Sequence, residues 1–298
     1  MHKSITFTKA QALGNDFVIV EESPCVGDTL SQTAKRLADR RLGIGCDQVI
    51  FYTIPSPNNF TIRFFNADGS EAEACGNGTR AFALFANTIL KTSSIIIKTK
   101  VATFSCDVSP LDDSKAHVGV ILPEGNILPM NRILADDLSF FFENRLRKSF
   151  IVDVGNPHLV LFLDDYTKQE VTDIGSQLTH HPFFKRGVNV GFVKMPPHIY
   201  GTVINFPGND ENQKNTKNDD VEKIVDILSL NVYERGVGPT PACGTGAFAT
   251  YLAAKEFLNT SPMMTIRQEG GDLNFQKQDT IYKVTGDASL VFQGVFYL

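Results

Sequence analysis

Two stretches of this chain read nearly alike: residues 74–86, ACGNGTRAFALFA, and residues 242–254, ACGTGAFATYLAA. Aligned on Cys75 and Cys243, they share Ala74 with Ala242, Gly76 with Gly244, Gly78 with Gly246, Ala81 with Ala249, Leu84 with Leu252 and Ala86 with Ala254. A short match can arise by chance, but its surroundings recur in the same order. Gly14-Asn15 and then GIGCDQVIF (43–51) precede the first copy, and Gly155-Asn156 and then RGVNVGFV (186–193) precede the second. The later spacing agrees once a polar stretch at 207–223, PGNDENQKNTKNDDVEK, is set aside as an inserted loop with almost no apolar residues. The chain is therefore read as two homologous halves, and its fold must be built twice from one pattern.

Within each half, alternating runs such as FTIRFF (60–65), SIIIKTK (94–100), FIVDV (150–154) and HLVLFL (158–163) predict strands. The segments after each CGxG are different. Residues 81–90 and 247–258 are apolar around nearly the whole helical circumference, the pattern of a helix buried on all sides. A mixed sheet wrapped around one central buried helix, built twice, satisfies both observations and gives an α+β fold of two pseudo-symmetric domains. The expected division is 1–122, joined by a last strand at 286–298, and 123–285. Neither a G-x-G-x-x-G nor a G-x-x-x-x-G-K-[ST] fingerprint is present, which argues against dinucleotide and nucleotide cofactors.

With 298 residues, 42% hydrophobic and 20% charged, the chain has the composition of a globular protein with ample core. A net charge of −5 with scattered Lys and Arg offers no basic stripe for nucleic acid or an anionic membrane, so a small-molecule partner is expected. The segment MHKSITFTKA has no apolar h-region and no stretch approaches a membrane span, so the expected location is the cytoplasm. Five cysteines, at 25, 46, 75, 106 and 243, form no Cys-x-x-Cys pair and no zinc-ligand spacing with His, so neither a disulfide framework nor a metal site is indicated. Most such cysteines are buried small hydrophobes.

Cys75 and Cys243 stand apart from the other three. A Cys followed by Gly-x-Gly at the start of a buried helix lies beside backbone N–H groups that have no partner within the helix. Those donors bind anions, the helix end favours a thiolate, and the glycines let a ligand approach the backbone. One such turn is ordinarily just a Gly-rich helix start with a packed Cys; two related copies point further. Duplicated halves commonly face each other across a pseudo-two-fold axis, which would bring two thiols to one cleft. Inverting a carbon centre requires a base on one face and an acid on the other, and an equivalent Cys pair supplies both. The amides of Gly76-Asn77 and Gly244-Thr245 would then stabilise charge on an α-carboxylate. This arrangement demands no cofactor.

At these residues the chain resembles the diaminopimelate epimerases. The matching motifs are ALGNDFVIV (12–20), GIGCDQVI (43–50), FFNADGSEAEACGNGTRAFA (64–83), VGNPHLV (154–160), RGVNVGFV (186–193) and YERGVGPTPACGTGA (233–247). The resemblance implies interconversion of LL- and meso-diaminopimelate without a cofactor, on the path to lysine and the peptidoglycan cross-link, in a homodimeric enzyme. It implies Cys75 and Cys243 as the acid/base pair and His158 and Glu234 as groups that tune them. It makes Asn15, Gln48, Asn66, Asn156 and Asn189 substrate-binding amides, and the backbone of Gly76, Asn77, Gly244 and Thr245 the carboxylate cradles. Glu234 and Arg235 would hold the non-reacting end, a carboxylate-guanidinium pair suited to a distal ammonium and carboxylate. Adjacent strand residues point to opposite faces, so both can serve one site only if the strand ends or bulges there, as Gly236 allows.

The chain departs from the family at Pro239, where most relatives carry Glu. Proline lacks a backbone donor and cannot replace a carboxylate, so support for Cys243 and substrate selectivity are expected to differ. Three rival readings remain: an amino-acid racemase of glutamate or proline type, with Glu234 and Arg235 arguing against a proline or hydroxyproline substrate, which lacks a distal ammonium and carboxylate; a binding protein using the two turns as anion cradles; and an isomerase of phenazine-pathway type, whose members lack the Cys pair.

Overall fold

The computed structural model describes residues 4–22, 29–56, 59–72, 75–122, 124–128, 132–196, 225–279 and 281–297; the polar insert at 207–223 lies outside them. Contacts divide the chain into two compact units. The first comprises Met1–Glu124, Pro241–Thr245 and Gln268–Leu298, and the second Gly125–Thr240 and Gly246–Arg267. Residues 241–245, which carry Cys243, Gly244 and Thr245 of the second CGxG turn, thus belong with the N-terminal residues.

In the first unit, β1 (Ser4–Ala12), β2 (Asn15–Glu21), β3 (Gln48–Ser56), β4 (Asn59–Asn66), β6 (Ser94–Lys98), β7 (Thr103–Pro110), β8 (Lys115–Leu122) and β17 (Ile281–Tyr297) form a closed ring. Going round, β1–β2 is antiparallel, β2–β3 parallel, β3–β4 antiparallel, β4–β6 parallel, and β6–β7, β7–β8, β8–β17 and β17–β1 antiparallel. The short β5 (Glu71–Ala72) and β16 (Gly271–Gln278) add to β4 and β17. Closure removes the unpaired sheet edge.

Helix α2 (Gly76–Leu90) runs inside this ring against β1, β2, β6, β7, β8 and β17. Eight strands ordinarily enclose little more than side chains. The helix fits because its first turns are narrow. A Cβ on Gly78 would lie 2.6 Å from Phe64 Cε1 and 3.1 Å from Phe17 Cε1, so only glycine passes there. Every residue from Asn77 to Ala86 is buried, as the apolar pattern predicts for 81–86 and not for the polar Asn77, Thr79 and Arg80 before it. The last turn differs: Ile89 is 44% exposed, and the helix ends on Lys91 in a left-handed conformation. Outside the ring, α1 (Leu30–Ala38), started by a Thr29–Gln32 capping box, packs Ala34 and Leu37 against Val18, Val20, Val49 and Phe51.

The second unit repeats the order of pairings. β9 (Asn126–Leu128) pairs antiparallel with β10 (Leu146–Asp153), and β10 with β11 (Pro157–Leu163). β11 is parallel to β12 (Asn189–Lys194), β12 antiparallel to β13 (Val225–Glu234), and β13 antiparallel to β14 (Gly238–Thr240) and parallel to β15 (Thr260–Gln268). The series β17–β1–β2–β3–β4–β6 in the first unit has the same alternation. In both units one parallel crossover is made by a capped helix, α1 or α4 (Lys168–Thr179), and the other by a buried one, α2 or α5 (Gly244–Phe257). The outer core of the second unit joins Val171 and Leu178 of α4 to Leu159, Leu161, Val190 and Phe192. This is an α+β fold of two mixed-sheet units, and the duplication seen in sequence is one of topology as well. Among the described residues no helix is long and apolar enough to cross a membrane.

Candidate active site

The residues singled out in sequence fall into two groups. Asn15, Gln48, Asn66, Cys75, Gly76, Asn77, Cys243, Gly244 and Thr245 lie in the first unit; Asn156, His158, Asn189, Glu234 and Arg235 lie in the second.

In the first unit Cys75 caps α2. Its Sγ accepts the Gly78 N–H at 3.3 Å and donates to Asn15 Oδ1 at 3.7 Å. Cys243 immediately precedes α5; its Sγ lies 3.5 Å from the Thr245 hydroxyl, and its N–H donates to Gln268 Oε1 at 2.7 Å. Each sulfur thus has a partner for both protonation states. Gly78 N–H favours a thiolate at Cys75 and the Asn15 carbonyl a thiol, while the Thr245 hydroxyl can donate to or accept from Cys243. The two turns also abut: a Cβ on Gly244 would lie 3.7 Å from Asn77 Oδ1 and 3.9 Å from Gly76 Cα. The other described cysteines are unlike this pair. Cys46 is buried in the outer core and Cys106 inside the ring, and burial pushes both thiols up to about 12, which makes them inert.

Asn15 is set by a tight hairpin. Leu13 and Gly14 both have positive φ (54° and 81°), the backbone of a two-residue turn that matches strand twist. Leucine is strained there and is held by burial against Gly271. The Asn15 amide donates to Asp47 Oδ2 at 2.9 Å, and this orients its carbonyl toward Cys75. Asp47 in turn takes a bond from Arg40, which also grips Asp16 with both terminal nitrogens. Burial alone would raise Asp16, but hydrogen bonds from Arg40, Lys9 and the Asp47 N–H outweigh it and hold the carboxyl well below the usual range. Gln48, paired with Asn66 across β3 and β4, donates its amide to Asn66 Oδ1 at 2.8 Å. Gln48 Oε1 is buried and has no partner among the described residues, an acceptor suited to a ligand ammonium.

In the second unit β13 ends at Glu234, and Gly236 (φ 79°) and Gly238 (φ 104°) turn the chain, so Glu234 and Arg235 escape strict strand alternation. Glu234 Oε1 accepts the Thr240 hydroxyl at 2.5 Å. The Arg235 guanidinium donates to Arg186 O at 2.6 Å, and its backbone N–H to Asn189 Oδ1 at 3.0 Å. Asn189 Nδ2 reaches Pro157 O at 3.4 Å, so both ends of this amide are engaged and it ties Arg235 to the strand bearing His158. His158 is 1% exposed, with Nε2 3.2 Å from Asn156 Oδ1 and Nδ1 lacking a partner among the described residues. Burial, and secondarily the Arg235 charge, lowers it to about 3. His158 is therefore a neutral imidazole near pH 7 and acts on its surroundings by hydrogen bonding, not as a cation. Pro239 sits in β14 opposite Tyr233.

Sequence reasoning passed over Arg80, Asp16, Arg40, Asp47, Thr240 and Gln268. Two of these carried a signal: Arg80 directly precedes the run read as a helix buried on every side, and Asp47 lies in the GIGCDQ motif.

The sequence profile of the family described as "Diaminopimelate epimerase" matches residues 7–114 and 150–291. The diaminopimelate epimerase of Legionella pneumophila (strain Lens) is 34% identical, over 97% of this chain and 98% of its own length. That of Halorhodospira halophila is 32% identical, over 97% and 93%. Among solved structures, a phenazine biosynthesis protein from Bacillus anthracis matches 99% of this chain and 100% of its own with a TM-score of 0.67 at 14% identity. A predicted epimerase from Pseudomonas aeruginosa matches 99% of each chain with a TM-score of 0.64 at 12% identity. These two likenesses concern the fold.

Proposed function

The chain belongs to the diaminopimelate epimerase family, and from that membership we propose that it interconverts LL- and meso-diaminopimelate by moving the Cα proton between Cys75 and Cys243. The enzyme is an isomerase of lysine and peptidoglycan-precursor synthesis. The observation that carries the two-thiol reading is the meeting of the CGxG turns: Gly244 lies against Gly76 and Asn77, each turn beginning with a Cys whose sulfur has partners in both protonation states.

In this mechanism one cysteine, as thiolate, removes the Cα proton. The electron pair left behind spreads into the α-carboxylate, where helix-start amides at Gly76-Asn77 and Gly244-Thr245 stabilise it; one such donor is commonly worth about 10²–10³ in rate. The other cysteine, as thiol, delivers its proton to the opposite face and the centre inverts. Gln48 Oε1 takes the reacting ammonium, and Asn15 and Asn66 complete its polar surroundings. Glu234 pairs with the distal ammonium and Arg235 with the distal carboxylate, with Asn189 accepting the Arg235 backbone N–H, and Asn156, oriented by His158, is a further substrate-binding amide. No step requires a cofactor. We further place the enzyme in the cytoplasm as a homodimer, as its family membership suggests.

Incubation with LL-diaminopimelate in D₂O tests the reading, with inversion followed by chirality and solvent deuterium by mass. The expected result is deuterium at the inverted Cα, abolished by Cys75→Ser and by Cys243→Ser. If no amino acid exchanges, or if both variants remain active, the epimerase mechanism fails; retained tight binding by a double variant of an inactive protein would favour an anion-binding role.

A further inference from the structure

The two thiols are related by sequence, but the residues that follow them differ in charge. Arg80, on α2 inside the ring of the first unit, is only 1% exposed. One terminal nitrogen donates to Asn77 Oδ1, and Nε has no partner among the described residues. The wall opposite is bare, since a Cβ on Gly286 of β17 would come within 3.2 Å of Nε. The titratable groups that reach this guanidinium are Cys75, Asp287 of β17 and Cys106 of β7. Asp287 is turned outward, its side chain 63% exposed and bound to His117 Nδ1 at 2.6 Å. Cys106 stays a thiol, because burial pushes it up to about 12. Desolvation lowers Arg80 only to about 10, so it remains a cation at neutral pH. An uncompensated buried charge is costly, and of its three neighbours Cys75 alone is placed to answer it with an anion.

The second half has nothing comparable at this position. In the alignment of the two turns, Phe248 stands where Arg80 does. The reverse holds one strand away. Phe17 pairs with Gln48 at the start of β3, and in the same place His158 pairs with Asn189 at the start of β12. One half therefore combines a permanent cation with a phenyl ring, and the other a phenyl ring with a neutral imidazole.

We propose that Arg80 is a positioning residue that makes the thiol pair unequal, its buried charge holding Cys75 as the resting thiolate and leaving Cys243 as the resting thiol. This rests on the two-thiol mechanism above. In the direction that uses Cys75 as base, the Cα proton passes to Cys75 and the Cys243 proton to the opposite face of the carbon. The pair then carries its single proton on Cys75, and the resting form returns when Cys75 loses that proton to solvent and Cys243 regains one.

The test is alkylation of the intact protein by iodoacetamide between pH 5 and 9, with each cysteine followed separately by peptide mapping. In the parent protein Cys75 should reach half-maximal reactivity at lower pH than Cys243. Arg80→Gln should raise the Cys75 midpoint by about one pH unit, a tenfold change in its acidity, and leave the Cys243 midpoint unchanged; Arg80→Lys should keep the Cys75 midpoint near that of the parent. Coincident midpoints in the parent protein, an unchanged Cys75 midpoint in Arg80→Gln, or equal shifts of both cysteines would each overturn the inference. Should Arg80→Gln fail to fold, the parent midpoints decide the asymmetry and Arg80→Met, which keeps the bulk of the side chain without its charge, decides the role of Arg80. Epimerisation is measured in parallel: symmetric thiols in an active enzyme refute the role of Arg80 only, whereas asymmetric thiols without epimerisation refute the catalytic reading only.

Discussion

Gly76 and Gly78 lie two residues apart in one helical turn, yet replacing each by alanine should have opposite consequences. A Cβ on Gly76 would meet nothing within 4 Å. Its methyl group is therefore sterically free, and relative to glycine it should stabilise the helix by about 0.5–1 kcal/mol. That open space is where the carboxylate is proposed to lie. A methyl group there would displace the ligand from its amide donor, so Gly76→Ala should lower kcat/KM about 100-fold while Tm stays level or rises slightly. At Gly78 a Cβ would sit 2.6 Å from Phe64 Cε1, against rings that are themselves buried. Carbon atoms prefer about 3.5–4.0 Å, so the ring or the helix must move by roughly 1 Å. Overpacking of this kind costs about 1–3 kcal/mol, and the helical gain of about 1 kcal/mol offsets part of it. With a shift of about 2–4 °C per kcal/mol, Gly78→Ala should lower Tm by up to about 8 °C. Thermal unfolding by circular dichroism and steady-state kinetics on LL-diaminopimelate separate the two effects. Full kcat/KM in Gly76→Ala would remove this turn from the carboxylate site, and a higher Tm in Gly78→Ala would show that the ring interior yields.

Three further outcomes are expected. Thr240→Val removes the hydroxyl that holds the Glu234 carboxylate, a bond to a charged group worth about 1.5–3 kcal/mol, so KM for diaminopimelate should rise at least about tenfold; a loss confined to kcat would refute a role in binding the distal end. His158 titrates near 3 in the folded protein because of burial and Arg235, against about 6.5 unfolded. The unfolded chain therefore binds more protons between these values, and stability is fully present above about pH 6.5 and falls as pH drops toward 3. Urea unfolding from pH 7 to 4 should be less steeply pH-dependent in His158→Gln, and equal slopes would contradict the buried neutral imidazole. Finally, Pro239 leaves Glu234 supported by Thr240 without a second carboxylate at that turn. Glutamate should be racemised measurably alongside diaminopimelate and less so by Pro239→Glu; an undiminished preference for diaminopimelate in the parent protein would dismiss the selectivity idea.

Much of the fold was legible because it depends on local patterns. The runs at residues 60–65, 94–100, 150–154 and 158–163 fall on β4, β6, β10 and β11, the second and third running slightly past their strands, since alternating apolar residues line one face of a strand; β11 is buried on both faces from His158 to Leu163. The uninterrupted apolar circumference of 81–86 could be satisfied only by enclosure, and α2 is enclosed. Its final turn was misjudged as buried because apolarity shows what a residue tolerates and not how far the ring extends. The candidate site was legible as a set of residue types: two thiols at helix starts, amides beside glycines and an adjacent Glu-Arg pair. The groups that orient them were not, because Asp47 and Thr240 act through neighbours on other strands or turns.

By itself the sequence determined that the fold is duplicated, that each half encloses a helix, and that Cys75 and Cys243 occupy equivalent places, because repetition and periodicity are properties of chain order. The tertiary structure decided the remainder. It assigned residues 241–245 to the unit formed mainly by the N-terminal residues, set Gly244 against Asn77, sealed Cys46 and Cys106 away from chemistry, and buried the Arg80 guanidinium inside the ring of the first unit. Burial and electrostatic environment depend on atoms distant in sequence. Two matching CGxG turns can therefore occupy equivalent places in the chain and be made unequal by Arg80 in one half, Phe248 in the other, and by what folds around them.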